Sequence, residues 1–462
     1  MTPETLDFLD RKELIALVLQ LAGQVRLLTE QNRLLTARVA DLEARLDAAT
    51  GSPPKSPGNS SLPPSSAHKA NVGENTSRPG GKKRREGRPG KARELHPDPD
   101  RTLERFATQC GCGVKLSPAD QPNVHAYDHI DLPPLRPEVT RVRLHSGLCP
   151  CCRKRVSAAP PEGMAPGSPF GPGVVALVAY LHARHMVSYE RLVELMDGLF
   201  GLRLSEGAIA NMLARAATPF AAAAEKIAQT VRVSPVIASD ETSARVCGKT
   251  HWQWTFATTT AIAHVIAPTR GKAAPQDFLR EAKPDVWISD RYAAQCGFAQ
   301  RHQFCLAHLI RDAQYAIDAG DTVFAPDFKR FLQKACAVGQ RRSGMSDATL
   351  KAHARRMKRA LERLLDLEPT NRHGNHLRAA MSLDARDKLL VFLDRRDVDP
   401  TNNVSERALR PSVIFRKVTN GFRSAWGARV YADTCSVMAT ARLAGLSALH
   451  AIRNALRPMT CP

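Results

Sequence analysis

Between residues 14 and 46 the apolar positions fall at alternating intervals of four and three: Leu14, Val18, Leu21, Val25, Leu28, Leu35, Val39, Leu42 and Leu46, with Asn32 filling the one gap. A period of 3.5 residues is a coiled-coil seam, and leucine at every d position with valine at most a positions favours two parallel strands. A leucine zipper over 1–50 and a homodimer are therefore expected, with Asn32 fixing register. The alternative is an amphipathic helix packed on its own protein. From 51 to 105 Ser, Pro, Asn and Gly dominate, a composition that buries no core, so this stretch is expected to be a disordered, basic linker. A small cysteine-bearing domain follows over 106–160, with strand-like alternation around Val139 to Leu144. Over 165–228 the pattern turns helical: Val174 to Met186, a helix capped by Ser188 through Phe200, and another opened by Ser205 and Glu206. That order fits a helix-turn-helix-like DNA-binding region and fits plain helical packing equally well.

Beyond Val231 the periodicity changes to two. Val231–Asp240, Thr250–Thr258 and Ala261–Ala267 read as successive antiparallel strands, Pro275–Ala282 as a crossover helix, and Val286–Asp290 as a further strand. Two of these runs finish alike, in Ile237-Ala-Ser-Asp240 and Ile288-Ser-Asp290. Laid side by side in a mixed sheet, they would bring two carboxylates to one edge. A third acid is expected from Asp399-Pro-Thr-Asn-Asn-Val-Ser-Glu406, where Asn402 or Asn403 caps a helix and Glu406 falls in its first turn. Arg407 and Arg410 follow, placed to meet phosphate. The long gap between Asp290 and Glu406 predicts a basic helical insertion at about 315–395 inside a core of 229–435, with a C-terminal helix over 436–462. Carboxylates of this kind hold Mg²⁺ or Mn²⁺ while leaving positions for water and phosphate, and two such ions support in-line attack on a phosphodiester. Asp240, Asp290 and Glu406 are thus the candidate catalytic and metal-binding residues.

Charge adds a partner. Lys and Arg number 66 against 45 Asp and Glu, a formal net charge of +21 that favours a polyanion, double-stranded DNA first. Lys82, Lys83, Arg84, Arg85 and Arg88 form a basic run around Gly87-Arg88-Pro89-Gly90, which serves equally as a solvated tail or as a minor-groove hook. Of the 11 cysteines, Cys110, Cys112, Cys149 and Cys152 supply the four thiolates of one structural Zn²⁺, with Cys151 able to replace a neighbour and buried unligated thiols as the alternative. Cys305-Leu-Ala-His308 has only two potential ligands, so core packing is preferred there over metal. No apolar run is long enough to span a bilayer, and a cytoplasmic location is expected. Two rival functions are a recombinase using Tyr431 as a covalent nucleophile and a catalytically inactive DNA-binding dimer or regulator derived from a transposase.

The zipper, Asn59-Ser-Ser-Leu-Pro-Pro-Ser-Ser66, Asp131-Leu-Pro-Pro134, Ser239-Asp240-Glu-Thr and above all Asp399-Pro-Thr-Asn-Asn-Val-Ser-Glu406-Arg together resemble DDE transposases of the insertion sequence 66 family. The resemblance runs along nearly the whole chain. It implies a multidomain α+β protein with an N-terminal coiled coil, a zinc-binding domain, a helical DNA-binding region and a ribonuclease-H-like catalytic core carrying a helical insertion. By that likeness Asp240, Asp290 and Glu406 are the triad that cleaves transposon ends and transfers strands. It further implies transposon-end and target DNA as substrates, accessory proteins of the same element as partners, and residence at a bacterial nucleoid. The Cys110-Gly-Cys112 spacing departs from the family's Cys-x-x-Cys.

Overall fold

The computed structural model describes residues 93–164, 166–381 and 385–457, together with 52–60 and, between 23 and 38, all but 26, 33, 36 and 37. The described part of 23–38 is helical; the rest of the expected zipper, and Lys82, Lys83, Arg84, Arg85 and Arg88, lie outside the described residues. The chain divides into two units, one of residues 1–68, 144–192 and 206–462, the other of 69–143 and 193–205.

The smaller unit holds little regular structure. A one-turn helix, Pro118–Asp120, opens at Ser117, whose backbone N–H and hydroxyl both donate to the Asp120 carboxylate at 2.8 and 2.7 Å.

In the larger unit, the hairpin β1 (Ser146–Leu148) and β2 (Arg155–Ser157) precedes helix α1 (Pro172–His185). Helix α2 (Tyr189–Phe200) begins in this unit and ends in residues 193–205 of the smaller one, and the larger unit resumes with α3 (Glu206–Arg215) and α4 (Ala217–Arg232). The helical expectation for 173–228 is met, but helix continues through Val231 and Arg232, where a strand was expected. Phe220, Ala224, Ala228 and Val231 recur at helical spacing and are buried, so a 3.6-residue stripe prevails over the local β-propensity of Val231-Arg-Val.

The sheet that follows has five strands in the order β5-β4-β3-β6-β7. Strand β3 (Val236–Val246) pairs antiparallel with β4 (Lys249–Ala257), which pairs antiparallel with β5 (Ile262–Ala267). The β3–β4 turn is Cys247-Gly248, both at positive φ (49° and 75°), a two-residue connection whose twist suits the flanking strands. After α5 (Ala273–Leu279) the chain crosses over to β6 (Val286–Ser289), parallel to β3, and then to β7 (Arg301–Phe304), parallel to β6. Alternation sorts the strands' side chains between two cores. Ile237, Trp254, Phe256 and Trp287 face Val231 and Phe278 on one side. Ala238, Ile288 and Phe304 face Leu306, Leu309 and Phe328 on the other. Trp254, Phe256 and Trp287 are almost wholly buried, and each such aromatic contributes about 2–3 kcal/mol of burial.

Between β7 and Glu406 the chain is largely helical: α6 (Leu306–Asp318), α7 (Phe324–Arg341), α8 (Asp347–Leu365) and α9 (Arg372–Ala380). Their apolar stripes pack on the second core, and several of their basic residues are already paired, as in Arg330–Asp327, Lys358–Asp394 and Arg378–Glu368. Residues 52–60, expected within a disordered linker, are held on this helical layer. Asn59, only 5% exposed, donates to Asp318 at 2.9 Å and to the Pro54 carbonyl at 3.2 Å.

Helices α10 (Asn403–Thr419), α11 (Ala425–Leu443) and α12 (Ala448–Leu456) complete the unit; position 436, expected as a boundary, lies inside α11. That helix covers the edge strand. Ser436 and Thr440 hydroxyls accept the backbone N–H groups of His264 and Ile262 at 2.8 and 3.0 Å, satisfying donors that an open sheet edge would leave unpaired. Among the described residues no helix is long and apolar enough to cross a membrane.

Candidate active site

The parallel register sets the first two acids side by side. Ala238 on β3 lies opposite Ile288 on β6, and two residues further along each chain come Asp240 and Asp290. Asp290 follows the last residue of β6, whereas Asp240 lies in the middle of β3. The expected strand end at Asp240 is therefore corrected: β4 pairs with β3 from Ala238 to Val246, and the sheet edge at this point is the end of β6. Each acid accepts a nearby backbone N–H, Asp240 from Glu241 and Asp290 from Tyr292, both at 3.0 Å. Those bonds fix the carboxyl groups on the backbone.

The segment before its helix holds Glu406 beside Cys305 and His308, near enough to Asp240 for its charge to act there. Pro400 accepts the N–H of Leu306 at 2.9 Å, and the Asn402 N–H donates to the Cys305 thiol at 3.1 Å. The Asn402 side chain donates to the Ser239 carbonyl at 2.7 Å. Asn402 occupies the N-cap position of α10 yet makes no capping bond with its side chain, because that amide is used to tie the helix to β3 beside Asp240. Asp399 is held by Arg342 at 2.7 Å.

Electrostatics matches this proximity. Burial, then Glu241, Asp290 and Glu406, hold the Asp240 carboxyl well above its ordinary value. Glu241 is likewise raised by burial and by Asp290, against the pull of Arg270. Arg270 pairs with Glu241 at 2.8 Å, Gln295 donates to its other oxygen at 2.6 Å, and the guanidinium stacks between Trp252 and Tyr292. His308 stands 3.5 Å from Glu406 and Arg311 3.7 Å from it. Burial, followed by the charge of Arg311, lowers the His308 pKa. Glu241, Arg270, Gln295 and Arg311 escaped the sequence reading; only the acid following Asp240 offered a signal.

Cys305, His308 and Glu406 present ligand atoms within 4.8 Å of one another. Cys305 is fully buried, its thiol pushed up to about 11 by burial, and it accepts the Asn402 N–H. Cys305 is packed and hydrogen-bonded, and Glu406 adds a third potential ligand to the two that the sequence offered at Cys305 and His308.

Five buried side-chain polar atoms have no hydrogen-bond partner among the described residues: Ser239 Oγ, His308 Nδ1, Asn402 Oδ1, Ser405 Oγ and Glu406 Oε1. All five belong to this one neighbourhood. Two of them, His308 Nδ1 and Glu406 Oε1, face each other at 3.5 Å, which leaves Ser239 Oγ, Asn402 Oδ1 and Ser405 Oγ as the buried polar atoms without a partner, where such atoms are normally satisfied.

The other candidates are dispersed. Tyr431 is buried, donates to Ser412 at 3.2 Å and has its pKa raised well above normal by burial, so its hydroxyl is packed in the protein interior. Arg407 and Arg410 are exposed on α10 and line a groove of about 1400 Å³ whose walls do not include Glu406. Cys110 and Cys112 close a tight turn in the smaller unit, where the Cys112 backbone N–H lowers the Cys110 thiol. In the larger unit the backbone N–H groups of Cys152 and Cys151 lower the Cys149 thiol in the same way.

No curated protein matches the chain. The family model described as "Transposase IS66 family" matches residues 167–430, more than half of the chain, a span that contains Asp240, Asp290, His308, Asn402 and Glu406. The chain belongs to the IS66 family of transposases.

Proposed function

We propose that this protein is a DNA transposase that binds the ends of its insertion sequence and cuts and rejoins DNA at Asp240, Asp290 and Glu406. The observation that carries the reading is the mutual influence of the acids, Asp290 and Glu406 both raising the Asp240 carboxyl, next to the unpartnered buried Ser239 Oγ, Asn402 Oδ1 and Ser405 Oγ. The strand order β5-β4-β3-β6-β7, with three antiparallel strands and two parallel ones, supports a ribonuclease-H-like core.

The donor set is all carboxylate oxygen, which suits a hard divalent cation such as Mg²⁺ or Mn²⁺. A cation bound there supplies charge neutralisation for the attacking and leaving oxygens of a phosphodiester. The protein's part is positioning. Backbone N–H groups orient Asp240 and Asp290, Asn402 ties the start of the Glu406 helix to β3, and Arg270 offsets the charge of Glu241 beside the other acids. Zinc binding by the cysteine turns belongs to the same reading, supported by the lowered thiols at Cys110 and Cys149 and tested by zinc content after Cys→Ser substitution. Dimerisation through the zipper and docking of accessory proteins complete it.

The test is strand cleavage of transposon-end DNA with Mg²⁺ or Mn²⁺. Wild type is expected to cut, and Asp290→Asn and Glu406→Gln to lose at least about 10²-fold in rate. Equal cutting by all three proteins would sink the assignment and favour the inactive, DNA-binding alternative.

A further inference from the structure

The groove lined by Arg407 and Arg410 is a second feature of the larger unit, separate from the acids. It runs between the end of α1, the end of α7, the outer face of α10 and the end of α11, with Ile262 of the edge strand and Met438 on its floor. Six arginines line it, Arg184, Arg342, Arg396, Arg407, Arg410 and Arg442, against a single acid, Asp399. Arg342 is committed to Asp399, and Arg396 is committed to Asp347 and to the carbonyl of Met345. The remaining four make no ion pair with any carboxylate among the described residues, and Arg407, Arg410 and Arg442 are exposed. Unneutralised arginines on facing walls of one groove are an anion site, since self-repulsion is otherwise uncompensated.

The occupant follows from what the groove has and lacks. Arg407 and Arg410 stand three residues apart on one helix, and Arg442 rises from another, so successive phosphates along a strand can each meet a guanidinium. No Trp, Tyr or Phe lines it, so there is no platform on which unpaired bases would stack. Its neutral polar groups, among them Gln340, Thr401 and Asn403, are few beside the arginines, so charge rather than readout of base edges dominates the groove.

We propose that this groove binds the sugar–phosphate backbone of double-stranded DNA through Arg184, Arg407, Arg410 and Arg442, independently of sequence. The proposal rests on the transposase reading for the kind of DNA present, but not on the three acids. The helix that carries Glu406 also carries Arg407 and Arg410, so DNA seated in the groove bears directly on the position of that helix.

The test uses the full chain and a fluorescent duplex of arbitrary sequence, without divalent metal, titrated across a salt series. Arg407→Gln, Arg410→Gln and Arg442→Gln combined should reduce the slope of log affinity against log salt by about 0.9 per lost phosphate contact, and weaken binding on the order of 10²-fold near physiological salt. The corresponding triple Lys variant should keep most of the slope. In wild type, Arg410 and Arg442 should be shielded by duplex from an arginine-modifying dicarbonyl, read by mass spectrometry, which needs no variant to fold. A wild-type slope in the Gln variant, or equal modification with and without duplex, overturns the proposal. So does loss of polyglutamate binding with duplex binding intact, which assigns the groove to an acidic protein. Asp290→Asn runs alongside: it should bind duplex with the wild-type slope, and normal cleavage by it would refute the catalytic assignment while leaving the groove standing.

Discussion

Asn402 is the side chain on which the geometry of the third acid depends. It is fully buried, its amide donates to Ser239 at 2.7 Å, and its own backbone N–H meets Cys305 at 3.1 Å. In Asn402→Ala the backbone contact survives and the amide donor is lost, removing a buried hydrogen bond worth about 1–3 kcal/mol when its acceptor is stranded. With a loss of about 2 kcal/mol, the melting temperature of a unit this size should fall by about 2–3 °C. Activity should suffer more than stability implies. The lost bond is the tie between the start of α10 and the strand beside Asp240, and a misplacement of about 1 Å at a reacting centre can cost 10²-fold in rate. Asn402→Asp keeps the shape but turns a donor into a charged acceptor facing a carbonyl, so it should be worse on both counts. The assays are thermal unfolding and single-turnover cleavage at saturating metal. Wild-type melting together with wild-type cleavage in both variants would refute the argument that Asn402 ties the start of the Glu406 helix to β3.

Other substitutions probe separate links. Tyr431→Phe removes the bond to Ser412, so it should lower stability by about 1 kcal/mol and leave cleavage intact; abolished cleavage would revive the covalent-tyrosine mechanism. Gly421 has φ of +103°, and an added Cβ would stand 2.5 Å from the Arg245 carbonyl, so Gly421→Ala should cost at least about 1–3 kcal/mol and release the 421–423 turn from the end of β3; an unchanged denaturation midpoint would contradict this. Burial raises the Asp433 carboxyl from 3.8 to about 6, so the folded protein keeps a proton that the unfolded chain releases, and this group's contribution to stability falls as pH rises from about 4 to 6. Asp433→Asn should therefore gain on wild type across that window, by about 1–2 kcal/mol after allowing for partial exposure, and parallel pH–stability curves would refute the shift.

The strands with plain β-branched and aromatic patterning were legible, and so were the helices with apolar stripes. Asp240 and Asp290 are placed by their matched Ser-Asp endings, and the β3–β6 register repeats that match in space. Strand β7 was not legible. Its sequence, Arg-His-Gln-Phe, looks like a loop, and it is stable inside because distant groups satisfy it: His302 meets Ser289 at 2.9 Å, while Gln303 donates to Leu389 and accepts from Phe392. Asn402 was read as a cap because capping is a local rule, but its partner lies on β3, far back in the chain. His308 beside Glu406 was hidden for the same reason. Sequence adjacency puts Arg407 and Arg410 next to Glu406, whereas the helix turns them onto the wall of a different groove.

The claim that three distant acids form one metal centre has a direct test. Fe²⁺ in place of Mg²⁺, with ascorbate and peroxide, generates radicals that cut the backbone close to a bound ion, and the fragments can be mapped on the full chain. The account predicts scission near Asp240, Asp290 and Glu406 together, lost at all three positions in Asp290→Asn. Scission confined to the neighbourhood of Cys305, His308 and Glu406, or persisting unchanged in Asp290→Asn, would contradict it.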